Sequence, residues 1–308
     1  MKGVSIIIAC YKAGSFLRDA VESLHRVAPA MPYEIIIVDD ASNDKLTNLA
    51  LQALELTDRR VRIVEQPYNQ GQSAARNRAI EMARYDYIFP FDADDKMNPA
   101  LPGYMDEAVR RLQCNPDTIA VYSKGQFFGA RKGPFLLSSY SERAMLTDNM
   151  IPVYGIYRRA DALEIGGYKE DLRYTEDWEI WNALHGERFR QNRPRNVELI
   201  AKPHYLYRQH EHGENVSRAR RMPIVEHMAA ISSRSLELYD HHFGTTDPTK
   251  LAEMRAAQTT FLKATFRRFA ANSPMDVLAY TTEWVSRKYP DWRKDRAAEM
   301  SEIAHRHN

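Results

Sequence analysis

Four short segments of this sequence place chemically able side chains where they can act together. The first is Phe91-Asp92-Ala93-Asp94-Asp95, which follows an apolar run. On an extended loop, alternate carboxylates can turn their oxygens toward one cation, and such hard donors suit Mg²⁺ or Mn²⁺ bridging a protein to phosphate oxygens. A cation held there neutralises charge on a departing diphosphate. The same run can equally serve as a solvated turn that caps the next helix. The second is Asp39-Asp40, also after an apolar run. A carboxylate there can accept from a nucleobase N–H or a ribose hydroxyl, or cap the following helix with Ser42. The third, Gly71-Gln72-Ser73-Ala74-Ala75-Arg76-Asn77, opens a helix with glycine and small residues. It sets Arg76 about one turn in, where a guanidinium can pair with phosphate or pack beside a base. The fourth is Glu176-Asp177, with Thr175 before it and Trp178 and Trp181 after it. It reads as a helix start whose acidic residues face the positive end of the dipole. The two indoles can stack on a sugar face or fill the core.

The elements that must carry these residues follow from hydrophobic periodicity. Val4 to Ala9, Glu34 to Val38, Val61 to Glu65 and Tyr87 to Phe91 are short β-rich runs. They alternate with helical patterns at Ser15 to Val27, Lys45 to Leu56 and Gln72 to Ala83. That alternation predicts buried, mostly parallel strands with helices on both faces. Ligands of such sheets bind outside the carboxyl ends of the strands, where the loops at 10–12, 39–42, 66–71 and 92–95 all fall. Pro90 predicts a bulge or an end in the fourth strand. Beyond Pro99 the pattern is punctuated by Gly125, Gly129, Gly133 and Pro134. Helical character returns over Leu163 to Leu184 and again from Pro223 onward. Neither a Gly-Lys-Ser/Thr phosphate loop nor a GxGxxG turn follows the first strand, which argues against an ATPase and a dinucleotide oxidoreductase.

Bulk properties narrow the class. Hydrophobic residues at 44% and charged residues at 27% are those of a folded globular chain. A net charge of +2 from 43 basic and 41 acidic residues offers no global field for nucleic acid. Two cysteines, Cys10 and Cys114, are too few for a disulfide framework, and no apolar stretch reaches the roughly 20 residues of a membrane span. The expected location is therefore cytoplasmic, with peripheral contact at the inner face of a membrane left open.

Taken in order, the segments resemble the family 2 glycosyltransferases, which adopt the GT-A fold. The match runs through Val4 to Ile8 with Tyr11, Val38 to Asp44, Gly71 to Ile80, Asp92 to Asp95 with Pro99, Gly166-Gly167-Tyr168, and Glu176 to Glu179. The resemblance implies an α/β fold with a Rossmann-like, mostly parallel sheet and a helical C-terminal extension. It implies a catalytic domain over residues 1–215, with a nucleotide-binding half at 1–99 and an acceptor half at 100–215, then a helical region at 216–308. It implies transfer of a sugar, with inversion, from a nucleoside diphosphate donor to an acceptor hydroxyl in cell-surface polysaccharide or glycan synthesis. UDP is the family's commonest base carrier. By the same comparison Ala9, Tyr11, Asp39, Asp40, Gly71, Arg76, Asp92, Ala93, Asp94 and Arg208 surround the donor. Asp92 and Asp94 serve Mn²⁺ or Mg²⁺, Asp95 is a less certain third member, and His210, with His204 as second choice, completes the shell. Asp177 is the general base and Glu176 its orienting neighbour. A carboxylate in reach of an acceptor hydroxyl can take its proton as the new bond forms.

Three positions depart from the family pattern. Ala9 replaces a frequent proline, Lys12 an asparagine, and Ala41 a glycine. Acceptor selection, whether of a saccharide or a lipid-linked saccharide, is expected from the stretch 125–154 and from around Trp178. Phe261, Leu262, Thr265, Phe266 and Phe269 share a helical face with Lys263, Arg267 and Arg268 elsewhere. This predicts a helix that packs on the catalytic domain, on a second copy of the chain or on an anionic membrane. Two rival readings are a nucleotidyltransferase that makes nucleotide sugars, and a non-catalytic nucleotide- or carbohydrate-binding scaffold. The first lacks its glycine-rich basic loop; the intact acidic residues argue against the second.

Overall fold

Strands β1 (Val4–Cys10) and β2 (Tyr33–Asp39) are almost entirely buried, as near-continuous apolar runs must be when helices cover both faces of a sheet. They pair in parallel with each other, β2 with β3 (Val61–Glu65) and β1 with β4 (Tyr87–Pro90). The computed structural model describes residues 1–135, 140–172, 174–211 and 223–257. The chain divides into two units, Met1–Ala252 and Glu253–Asn308, and the fold described is that of the first.

Helix α1 (Phe16–Arg26) buries Leu17, Ala20, Val21 and Leu24, the stripe that i, i+3, i+4, i+7 spacing produces. Helix α2 (Lys45–Thr57) starts where Asp44 accepts the Thr47 amide at 2.9 Å, a side-chain cap. Helix α3 (Gln72–Met82) follows Gly71, whose φ of 96° lies in the region that favours glycine. Its buried Ser73, Ala74 and Ala75 are small enough for close packing on the sheet.

β4 ends at Pro90, opposite Ile7, and the Phe91 amide still donates to the Ile7 carbonyl at 2.9 Å. The chain then turns through residues 91–95 into β5 (Lys96–Met97) and α4 (Tyr104–Cys114). The second half of the sheet comprises β6 (Thr118–Gly129), β7 (Gly133–Phe135), β8 (Ile156–Arg158) and β9 (Asn196–Gln209). The order is β3-β2-β1-β4-β8-β6-β9-β5, with β7 on β6. Among the described residues β1, β2, β3, β4, β6 and β9 run one way and β5, β7 and β8 the other.

Short helices α5 (Glu142–Met145) and α6 (Arg159–Glu164) precede α7 (Glu176–Arg190), on which α8 (Ile224–Ser232) and α9 (Leu236–Phe243) pack. The first unit thus continues to Ala252, past the boundary expected at residue 215. The reason is visible at Arg234, whose guanidinium clasps the wholly buried Glu179 of α7 and the carbonyls of Ile165 and Gly167. The expected contacts of Phe261 to Phe269 lie outside the described residues.

Candidate active site

An aromatic floor supports the loop after β4. Phe91 packs edge-on against Tyr205 at 5.3 Å, and Tyr205 stacks on Tyr154 at 3.7 Å. Such pairs contribute about 0.5–1.5 kcal/mol each beyond their buried area. Asp95 is 1% exposed and accepts from the Tyr205 hydroxyl at 2.7 Å and the Arg208 amide at 2.6 Å. It is a strut that ties the loop to β9. Burial and the neighbouring Asp94 and Asp92 raise its pKa well above the carboxylate range.

Asp94 instead meets His210, with Nε2 and Oδ2 at 2.6 Å. The two histidines differ in their surroundings. His204 is buried, stacked on Tyr104 and bound through Nδ1 to the Leu101 carbonyl at 2.7 Å. Arg208, next to them, lies between the rings of Phe16 and Phe128 at 4.3 and 4.4 Å. Its Nε donates to the Asp94 carbonyl at 2.5 Å, whereas its buried Nη2 makes no hydrogen bond and stands 3.9 Å from Asp19.

Arg76 does not open toward a phosphate. It is 1% exposed, and its Nη1 donates to Glu176 Oε1 at 2.7 Å and its Nη2 to Asp92 Oδ1 at 2.9 Å. Its guanidinium also lies over the Tyr168 ring at 5.3 Å. One buried cation therefore joins the loop after β4 to the start of α7. Gln72 joins the same network once its amide oxygen faces Arg76 Nη2, at 2.5 Å. Burial pushes Asp92 up to about 6 against the downward pull of Arg76. The next residue of α3, Asn77, holds the Gly166-Gly167-Tyr168 turn by accepting the Tyr168 amide at 2.7 Å and donating to its carbonyl at 2.8 Å. A Cβ on Gly167 would stand 2.3 Å from Asn77 Oδ1, and φ there is +72°, so only glycine fits.

The acidic pair after β2 divides its work. Asp40 accepts the Gln70 and Gly71 amides at 2.7 and 2.8 Å and so builds the loop that precedes α3. Asp39 spends one oxygen on the Ser42 amide at 3.1 Å, and its other oxygen is buried without a hydrogen-bond partner. That atom is the better candidate for a base N–H or a ribose hydroxyl. Tyr11 is 48% exposed at the end of β1, and Ala9 and Ala93 lie at the same strand ends. Lys12 and Ala41 both have positive φ, 52° and 57°. The asparagine and glycine usual at these places in the family are residues that tolerate this conformation, so the two departures carry backbone strain.

Asp177 sits in the first turn of α7, after Thr175, whose φ is 59°. Its Oδ1 accepts the Trp178 amide at 2.9 Å and its Oδ2 the Asn149 side-chain amide at 2.8 Å. Burial, then the charge of Glu176, pushes it up to about 7 against Asn149, Arg76 and the Trp178 amide. A carboxylate of that affinity suits proton abstraction near neutrality. Trp178 and Trp181 are wholly buried, Trp178 donating to the Met145 carbonyl at 2.6 Å, so both are core residues and not a sugar platform. Asn149 carries no pattern in sequence; it gains its place through a contact distant in the chain.

Among the described residues no three His, Cys, Asp or Glu side chains converge on one point. Asp94 and His210 alone supply a carboxylate and an imidazole. That donor set fits a small divalent cation that takes its remaining ligands from a diphosphate and water.

Known proteins resemble this chain in sequence and in fold. The family described as Glycosyl transferase family 2 matches residues 5–162. The poly-beta-1,6-N-acetyl-D-glucosamine synthase of Staphylococcus aureus is 31% identical over 197 residues, which is 60% of this chain and 46% of the synthase. S. aureus TarS 1-349, solved in complex with UDP-GlcNAc, superposes with a TM-score of 0.58 at 19% identity, covering 76% of this chain and 66% of that one. The mannosyltransferase PcManGT of Pyrobaculum calidifontis, solved with GDP-Man and Mn²⁺, gives 0.55 at 17% identity, over 96% of this chain and 84% of that one. These two likenesses show the GT-A fold. The chain spans between 26% and 66% of the length of the curated relatives it matches first.

Proposed function

The chain belongs to glycosyl transferase family 2, and on that premise we propose that it is a metal-dependent, inverting transferase moving a sugar from a nucleoside diphosphate to a saccharide hydroxyl. The observation that carries this reading is the Arg76 bridge, which sets the Asp92–Asp95 loop beside Glu176 and Asp177 although they are far apart in sequence. Asp39, through its unpaired oxygen, takes the nucleoside, and Arg208 Nη2 faces the diphosphate. Asp94 and His210 would hold Mn²⁺ or Mg²⁺, which when bound would offset the charge of the leaving diphosphate. Asp177 receives the proton of the acceptor hydroxyl as its oxygen bonds to the anomeric carbon and the bond from that carbon to the diphosphate breaks.

A UDP-N-acetylhexosamine is the first donor to test, because a relative's name and a neighbour's ligand both contain N-acetylglucosamine. The acceptor belongs, in this reading, to a cell-surface polysaccharide assembled from the cytoplasmic side. No described helix is long and apolar enough to cross a membrane. The test is a panel of UDP-, GDP- and dTDP-sugars with purified protein and Mn²⁺ or Mg²⁺. Metal-dependent nucleotide binding and slow hydrolysis of one donor are expected. Neither binding nor turnover across the panel would overturn the reading.

A further inference from the structure

Asn149 lies in the chain between α5 and β8, inside the stretch that sequence ties only loosely to the acceptor. Its Nδ2 donates to Asp177 Oδ2 at 2.8 Å. The segment that bears it is fastened to α7 and α9 from both sides. Trp178 Nε1 donates to the Met145 carbonyl at 2.6 Å, and the Tyr239 hydroxyl donates to the Leu146 carbonyl at 2.7 Å. Both aromatic residues are wholly buried, so the residue after the base and the segment carrying Asn149 are held as one block.

The orientation of the Asn149 amide follows from chemistry. An ionised carboxylate only accepts hydrogen bonds, so the NH₂ end must face Asp177. The other end, Oδ1, is then buried and has no hydrogen-bond partner. A buried carbonyl oxygen left unpaired beside a catalytic carboxylate is unfavourable until a donor reaches it. It lies across the amide and one 2.8 Å hydrogen bond from Asp177 Oδ2. Two acceptor atoms so placed match two neighbouring hydroxyls on one ring. An isolated alcohol would satisfy only one of them.

We propose that Asn149 is a specificity-determining residue that positions the base through Nδ2 and, through Oδ1, receives the hydroxyl adjacent to the nucleophile, so that the acceptor is a vicinal diol of a sugar ring. The proposal rests on Asp177 as the base. Asp177 faces Glu176 and Arg76 as well as Asn149 and the Trp178 amide, and Asn149 is among the groups that favour its ionised form. Loss of the Asn149 amide therefore moves the acid limb of activity to higher pH.

The experiment uses the full chain, the donor it hydrolyses, and methyl gluco-, galacto- and mannopyranosides with their single-deoxy analogues as acceptors. Asn149→Ala is expected to lose about tenfold in kcat/KM for the best pyranoside and to shift the acid limb up by about half a unit. One deoxy analogue should be equally poor with wild type and Asn149→Ala, the two losses failing to add. Asn149→Asp, which keeps an oxygen in place, should retain that discrimination and raise the acid limb further. Equal sensitivity of wild type and Asn149→Ala to every deoxy position would overturn the proposal, as would failure of all pyranosides to raise diphosphate release above hydrolysis. Wild-type transfer by Asp177→Asn would sink the base assignment, a separate result from either.

Discussion

Replacing Arg76 by methionine tests the buried bridge most directly. The substitution keeps much of the side-chain volume and removes the cation that lies between two carboxylates and over the Tyr168 ring. Arg76 is 1% exposed, with the Asp92 and Glu176 side chains 22% and 10% exposed at 2.9 and 2.7 Å. Breaking a buried pair by removing one partner costs about 3–5 kcal/mol, because the remaining charge is uncompensated, whereas an exposed pair is worth under about 1 kcal/mol. The partial exposure of Asp92 puts the expectation at the lower end, about 3 kcal/mol. Urea unfolding followed by circular dichroism, with an unchanged slope, measures it. Neutralising one carboxylate in Arg76→Met/Glu176→Gln should restore roughly half of the loss, since the residues share one network. Arg76→Lys, which keeps the charge without the two-pronged geometry, should fall between wild type and methionine. A loss below about 1 kcal/mol for Arg76→Met would refute the reasoning.

Four further outcomes follow from the geometry. With Asp177 pushed up to about 7, kcat/KM should rise about tenfold per pH unit on approach to that value and level off above it, a profile to be recorded at constant ionic strength. The same shift has a stability sign: between about pH 4 and 7 the folded state keeps a proton that the unfolded chain has released, so stability falls as pH rises through that window. Asp177→Asn should accordingly be more stable than wild type at pH 8, by on the order of 2 kcal/mol, and no more stable at pH 3, while losing transfer. His210→Ala should weaken Mn²⁺-dependent UDP binding on the order of tenfold or more in titration calorimetry, and His204→Ala should lower the thermal midpoint instead. Ala41→Gly should stabilise by about 0.5–1 kcal/mol in urea unfolding by relieving the positive φ.

What the sequence by itself determined is the architecture and the neighbourhood of the site. Runs such as Val4 to Cys10 and Ile35 to Asp39 have nowhere to go but the middle of a parallel sheet, because local periodicity and the burial it demands are encoded residue by residue. The strand ends then collect Asp39, Asp92 and Asp94 on one side without further information. Only the tertiary structure decided how adjacent, chemically identical residues divide the work. Asp40 and Asp95 are consumed as struts by backbone amides and a tyrosine hydroxyl, whereas Asp39 keeps one oxygen unpaired and Asp94 meets His210. The same holds for Arg76, read as a partner for a phosphate or a nucleobase and found between two carboxylates, and for Asn149, which reaches Asp177 only because Trp178 and Tyr239 hold its segment in place. Hydrogen-bond partners of this kind come from segments dozens of residues away, and their directions depend on packing that no local pattern records.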